Sequence, residues 1–381
     1  MTKFKIIDAK DRQVWDDFVT SHPEANFLQS WDFYEFYRSR GNEVVRRIAI
    51  EEDAKPAETK KNRKNNQSGQ SGMEKDHTCV EENQNGRIIG AYAGVVEKAK
   101  RGHYLAVAGG PILDWQNREL VERIFQDMRD QGRAHQCAFV RVRPQLAKNS
   151  GELLLKELAA DKTLGLRIQP APMYLSVEFA GVLDLDKDEE EILKGMRQRL
   201  RRALRKGEKN GIEVETSTDP ADIREFYQIQ MQTAGRHGFV AFSEDFLTKQ
   251  FAAFAKNGEA VLYKAKYHGE VLAENFMIFY GNEASYHYGV SSELGTKLSG
   301  APLLHMQAMR DARERGIKRY NFWGIVGEDE TWHRFYGVSQ FKRGFGVEEL
   351  KYTPAHDIIL NPIKYQITKI IETIRKKKRH V

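Results

Sequence analysis

The chain has 381 residues, 40% of them hydrophobic and 30% charged, a balance that excludes general disorder and, at about 150 residues per domain, points to two or three domains. Lys and Arg number 60 against 54 Asp and Glu, a formal charge of +6. The longest uncharged apolar stretch, Tyr104 to Leu113, is about half of the roughly 20 residues a membrane-spanning helix needs.

The first residues, MTKFKIIDAK, carry charges where a signal peptide would be apolar, so the cytoplasm is the expected compartment. A strand at Phe4 to Ile7 leads into a helix at Asp11 to Ser21. A second helix follows, capped by Ser30 and stopped by Gly41. The β-branched runs Val44 to Ile50 and Arg87 to Val96 read as an antiparallel pair. Between them, residues 52–86 hold almost no large apolar side chains and read as a flexible hairpin insertion, with Cys79 and His77 incidental to it. Then come strands near Tyr104 to Val107 and Ala138 to Arg143, and helices from Asn117 and Gly151.

The second half repeats this order. It opens with a strand-like run at Met173 to Val177 and a helix through the basic block 194–209, KGMRQRLRRALRKGEK. After a strand at Ile212 to Glu215 come helices at Pro220 to Arg236 and Ser243 to Ala255. Three strands follow, at Ala260 to Tyr267, Val271 to Tyr280 and Ala284 to Val290. A helix from Pro302, a strand at Arg319 to Trp323 and a short helix through Trp332 to Tyr336 complete the copy. A final helix, Ile363 to Arg379, ends basic and returns to the first unit. The division expected is a first lobe over 1–168, a second over 169–349 and a C-terminal helix and tail over 350–381.

Cys79 and Cys137 offer neither a disulfide framework nor a metal-ligand spacing, so no metal is expected. GxSxG, GxxxxGK[ST], HExxH and GxGxxG are all missing, which removes the main support for hydrolase, P-loop and dinucleotide readings. Antiparallel strands leading into a helix that follows a central strand are what a GNAT-type N-acyltransferase shows, a likeness at the level of fold alone.

Short runs along the chain are more specific. YHYGVSS (286–292), Pro302-Leu303-Leu304, RYNFWGI (319–325) and QFKRGFG (340–346) occur in order, with FLQS (27–30), GGPILD (109–114), KNGIEVE (209–215), TAGRHGF (233–239) and FSEDF (242–246). Together they resemble the Fem-type (FemABX) aminoacyltransferases that build peptidoglycan interpeptide bridges. The resemblance implies an α/β (α+β) fold of two tandem GNAT-like acyltransferase lobes with a cleft between them. It further implies transfer of an amino acid from aminoacyl-tRNA, a co-substrate, to the stem-peptide amine of a cell-wall precursor, lipid-linked or UDP-linked, with no other cofactor. Only about 20 residues separate Glu215 from Arg236, too few for the coiled-coil arm of some members, so the chain is closer to the armless, first-residue type.

By the same resemblance Lys342 is the catalytic lysine that stabilises developing negative charge, with Phe341 shaping the pocket. Judged without the motif, Lys342 would be a surface lysine beside a glycine turn and Phe341 a core aromatic. Asp114 matches an aspartate considered as general base, although a strand-end Asp is more often a turn residue. Arg201 matches a phosphate-binding arginine, with Arg205 and Arg197 as substitutes in register. Tyr286 and Tyr288, two apart on a strand, share one face, with His287 on the other; that face lines either the cleft or the core. Two departures stand out. The family's aromatic-Gly-x-x-Lys run after FLQS is replaced by Phe33-Tyr34-Glu35-Phe36-Tyr37, leaving Arg38 for the lysine's place, and Gly109 and Gly110 stand where a tyrosine precedes the GP.

Two other readings compete. One is an acyl-CoA-dependent N-acyltransferase, with Gly295 to Gly300 as a weak candidate pyrophosphate loop. The other is a non-catalytic RNA-binding protein using Arg197 to Lys209, which lacks an RRM, KH or OB signature. The tail Arg375 to Arg379 is a candidate contact with the anionic inner face of the plasma membrane. A monomer is expected.

Overall fold

The structure is a computed structural model and describes residues 3–52, 86–99, 102–237 and 241–379. His77 and Cys79, the interior of the 52–86 insertion and part of TAGRHGF lie outside the described residues.

The first lobe runs β1 (Phe4–Asp8), α1 (Arg12–Thr20), α2 (Trp31–Ser39), β2 (Glu43–Glu51), β3 (Ile88–Ala99), β4 (Gly102–Ala108), β5 (Ile112–Leu113), α3 (Arg118–Ala134), β6 (Phe139–Arg143), α4 (Lys148–Ala160) and β7 (Ile168–Pro170). The second runs β8 (Phe179–Asp184), α5 (Glu189–Gly195), α6 (Gln198–Lys209), β9 (Glu213–Ser217), α7 (Ile223–His237), α8 (Glu244–Ala255), β10 (Ala260–Tyr267), β11 (Glu270–Tyr280), β12 (Glu283–Ser291), α9 (Glu293–Leu298), α10 (Gly300–Glu314), β13 (Arg319–Gly324), α11 (Tyr336–Arg343) and β14 (Glu348–Lys351). β15 (His356–Ile359) and α12 (Pro362–Arg379) close the chain.

The two sheets repeat one pairing scheme. The first has the order β1-β2-β3-β4-β6-β15-β7, with β5 on β3, and the second β9-β10-β11-β12-β13-β8-β14. In each, one pair is parallel, β4–β6 and β12–β13, and the rest are antiparallel. The first sheet therefore takes β7, which runs past residue 168, and β15 from the C-terminal segment.

Local chemistry explains most element ends. The Ser30 side chain accepts from Phe33 N and caps α2, and Gly41 beyond its end has φ +82°, a conformation that favours glycine. Asp188 and Glu191 form a capping box on α5. The basic block expected as one helix is broken between α5 and α6, because Arg197 N donates to Gly344 O at 2.8 Å and its backbone is extended. The strand expected at Met173 to Val177 is irregular, and β8 forms a few residues later. The short helix expected at Trp332 to Tyr336 begins instead at Tyr336, and the glycine-rich 295–300 segment is largely the helix α9.

One hydrophobic core joins the lobes: Phe27, Ile48 and Ala91 of the first pack with Phe251, Phe276 and Val290 of the second. Polar bonds reinforce it, from the Tyr280 hydroxyl to Asp16 at 2.6 Å and from Asn257 Nδ2 to Asp32 at 2.6 Å. α12 is tied back to the first lobe by a buried ionic triad. Arg141 of β6 donates to Asp357 of β15 at 2.7 and 2.8 Å and to Glu372 of α12 at 2.8 and 3.2 Å.

Candidate active site

The parallel β12–β13 ladder runs only through Glu283–Arg319, Ala284–Tyr320 and Ser285–Asn321. Beyond it Tyr286 to Ser291 and Phe322 to Gly324 have no ladder partner in each other, so a gap opens between the strands. The end of β13 is specially built. Asn321 Oδ1 accepts from Trp323 N at 2.8 Å, and Trp323 adopts φ +64°, an unfavourable conformation for a bulky residue. Its ring stacks on Phe27 of FLQS, with centroids 5.0 Å apart, which fixes the strand end to the other lobe.

α11 clamps this strand end from the opposite side. Lys342 Nζ donates to Gly324 O at 2.7 Å, Arg343 Nη2 to Val326 O at 2.7 Å, and Ser339 Oγ accepts from Val326 N at 3.0 Å. Judged without the motif Lys342 would be a surface lysine, and the structure buries it. Lys342 is only 6% exposed, and its ammonium lies 5.5 Å from the centre of the Tyr286 ring. Burial alone brings its pKa down to about 7. Among the described residues no carboxylate lies within ion-pair distance of it. At neutral pH such a lysine exists in both protonation states, and one of its three hydrogens is held by Gly324 O.

His305 of α10 is completely buried beside it, its ring 4.5 Å from Tyr286 and 5.6 Å from Phe341. Its Nδ1 meets the Tyr320 hydroxyl at 2.8 Å, and burial, with the nearby Lys342 charge, lowers its pKa to about 3. It is therefore a neutral imidazole at physiological pH, and Nε2 has no hydrogen-bond partner. Sequence reasoning passed over His305, whose only signal was a histidine inside the apolar run PLLHM. Phe341 packs on the second-lobe core against Phe345, the place of a core aromatic.

The expectation that Tyr286 and Tyr288 share a face is overturned. Tyr286 pairs with Met277 and Tyr288 with Phe276, so His287 is an extra residue, a β-bulge that reverses the alternation. Tyr286 faces Lys342 and His305. Tyr288 turns to the other side with His287, against Phe242 and Phe276. Gly289 is required next to the bulge, because a Cβ there would lie 1.7 Å from the Tyr286 hydroxyl.

The structure sorts the remaining candidates. Arg197, at the start of α6, donates to Gln340 Oε1 of α11 at 2.8 Å, so the basic helix begins beside the Lys342 helix. Arg201 turns back to the carbonyls of Leu193 and Lys194 at 3.2 and 3.1 Å, and Arg205 is exposed. Arg38 and Asp114 lie on the first lobe. Arg38 pairs with Glu35 at 3.2 Å and lines a cavity of about 370 Å³ with Asp8, Arg46, Gln131 and His135. Asp114 is exposed and accepts from Gln116 N at 2.9 Å, the geometry of a turn residue. FLQS has an architectural part as well: buried Gln29 donates to Ala108 O at 2.6 Å and accepts from Ala93 N at 2.9 Å, bridging β4 and β3.

Comparison with known proteins agrees with this architecture. The acetyltransferase (GNAT) domain family matches residues 194–343, from the end of α5 to the end of α11. The chain is 21% identical to the lipid II:glycine glycyltransferase of Staphylococcus aureus, with 93% of each covered. Its structure is similar to that of FemX, with a TM-score of 0.76 at 19% identity over 96% of this chain and 100% of that one. It is also similar to a tandem GNAT protein of the clavulanic acid pathway, with a TM-score of 0.50 at 12% identity over 94% and 98% of the two chains. Two mixed sheets of one pairing scheme, a half-open parallel pair and these likenesses make the chain a tandem GNAT-fold protein, similar along nearly its whole length to a Fem-type transferase.

Proposed function

We propose that the protein is an aminoacyltransferase that moves an amino acid from aminoacyl-tRNA to the stem-peptide amine of a peptidoglycan precursor, in interpeptide-bridge synthesis. The similarity to the glycyltransferase over 93% of both chains carries the reading, and a buried, unpaired lysine at the open strand pair supports it. In the reaction the amine nitrogen attacks the ester carbonyl and an amide bond forms. The ester C–O bond then breaks, and the proton lost by the amine ends on the ribose hydroxyl that leaves. Lys342 as ammonium holds the negative charge that develops on the carbonyl oxygen, in a dry site where one such donor contributes about 10²–10³ in rate.

The basic start of α6, with Arg197 next to the Lys342 helix, is assigned to phosphates of the tRNA or of the precursor. α7 is a helix of 15 residues, which favours the armless type that adds the first bridge residue. The basic tail, Arg375 to Arg379, is assigned to an anionic membrane face, and vesicle binding unchanged after removal of residues 375–381 would refute it.

The test supplies the protein with tRNA carrying mixed radiolabelled amino acids and with lipid-linked and nucleotide-linked muropeptides. Label in either muropeptide is expected, and the labelled residue identifies the donor. Folded protein that transfers nothing to either, and instead acylates an amine from acyl-CoA, would overturn the reading.

A further inference from the structure

α12 is an amphipathic helix mounted the wrong way round for a core element. The face turned to the first lobe holds Tyr365, Thr368 and Glu372, all buried and two of them polar. Glu372 is bound into the triad with Arg141 and Asp357, and Tyr365 packs edge-on against Phe139, so an ionic contact and an aromatic one together hold this face. The face turned to solvent carries Ile363, Ile367, Ile370 and Ile374, exposed by 78%, 57%, 59% and 50%. Their spacing of four, three and four residues sets them in one stripe along the helix.

Basic residues flank that stripe. At 100° per residue, Lys364 and Arg375 fall on one side of it and Lys369 and Lys376 on the other. The only acid between Pro362 and Arg379 is Glu372, which is buried, and the helix continues into Lys377, Lys378 and Arg379. No described helix is long and apolar enough to cross a membrane. A row of isoleucines between rows of cations has the form of a helix that lies in a bilayer interface with its apolar face among the acyl chains. Pairing with a second copy would instead bring two like-charged flanks together.

We infer that the exposed isoleucine stripe of α12 inserts into the surface of an anionic bilayer, with its flanking lysines and arginine on the lipid phosphates. The stripe thus adds an apolar anchor to the electrostatic contact assigned to the tail. The inference does not depend on the acyl-transfer reading, because vesicle binding reports no chemistry.

The test is sedimentation of the full chain with vesicles of phosphatidylcholine alone or with about one third phosphatidylglycerol, alongside the double variant Ile367→Gln/Ile370→Gln. Both isoleucines are exposed, so an unchanged circular dichroism spectrum and melting temperature are expected. Wild type binds the anionic vesicles and not the neutral ones, and the variant binds about tenfold more weakly or worse. No binding by the wild type, or equal binding by the variant, overturns the inference. A wild-type dimer in solution that the variant converts to a monomer also overturns it, by showing that a second copy covers the stripe.

Discussion

Each lobe buries several cations, and two of them, Arg141 in the first and Lys342 in the second, are treated differently. In the first lobe, Arg141 on β6 meets two carboxylates, Asp357 and Glu372, that come from the far end of the chain. In the second, Lys342 meets one carbonyl and one aromatic face. The strand pairs differ in step with this. β4–β6 is paired from Tyr104–Phe139 to Ala108–Arg143, whereas β12–β13 parts after Ser285–Asn321. A compensated charge in a closed sheet belongs to the framework. An uncompensated one at an open pair stores a desolvation penalty that a developing negative charge can relieve. One fold, used twice, gives a mount in one copy and, in the function proposed, a site in the other.

The largest effect is expected at Arg141. Arg141→Ala leaves two carboxylates buried without a cation and is expected to cost about 3–5 kcal/mol, read by chemical denaturation. Lys342→Met should act in the opposite sense on stability, since it removes a buried charge with no counter-ion. The sign follows from the protons bound. The folded lysine has a pKa of about 7 and the unfolded one its ordinary 10.5. Between those values the unfolded chain binds more protons, so the penalty is full below pH 7 and fades as pH rises towards 10.5. The Lys342→Met chain should therefore melt no lower than wild type at pH 6, and any advantage should shrink at pH 9.

Smaller effects sharpen the picture of the site. With Lys342 acting as ammonium, the rate constant for transfer should fall as pH rises through about 7, and single-turnover rates at several pH values check this. Gly289→Ala pushes the Tyr286 ring from its place beside Lys342 and should slow transfer about tenfold, whereas Tyr288→Phe, on the other face of the bulge, should stay within about twofold. Comparable losses for both would place the two tyrosines in one site after all.

Much of this was legible in the residues. The two α/β units followed from hydrophobic periodicity and from caps such as Ser30, and the motif set pointed to Lys342. What escaped was set by contacts distant in sequence. Lys342 sits on a short helix in a polar-looking run, and its burial depends on Gly324 and Tyr286. β15 is four residues long and pairs with Val142 and its neighbours more than 200 positions earlier. The bulge at His287 leaves no mark on a pattern of period two, so alternation assigned Tyr286 and Tyr288 to one face. The break between α5 and α6 came from a single tertiary hydrogen bond at Arg197. The return of α12 to the first unit was read from the sequence, but which of its faces meets that unit was set by distant partners, Arg141 and Phe139.

In the function proposed, Lys342 serves the chemistry and the compensated Arg141 of the first lobe does not. Transfer of labelled amino acid to muropeptide by Lys342→Met, with the melting temperature taken on the same preparation, decides between the two charges. A rate lower by about 10²–10³ is expected, in a protein that melts no lower than wild type. Transfer within about twofold of wild type by that folded variant would remove Lys342 from the chemistry.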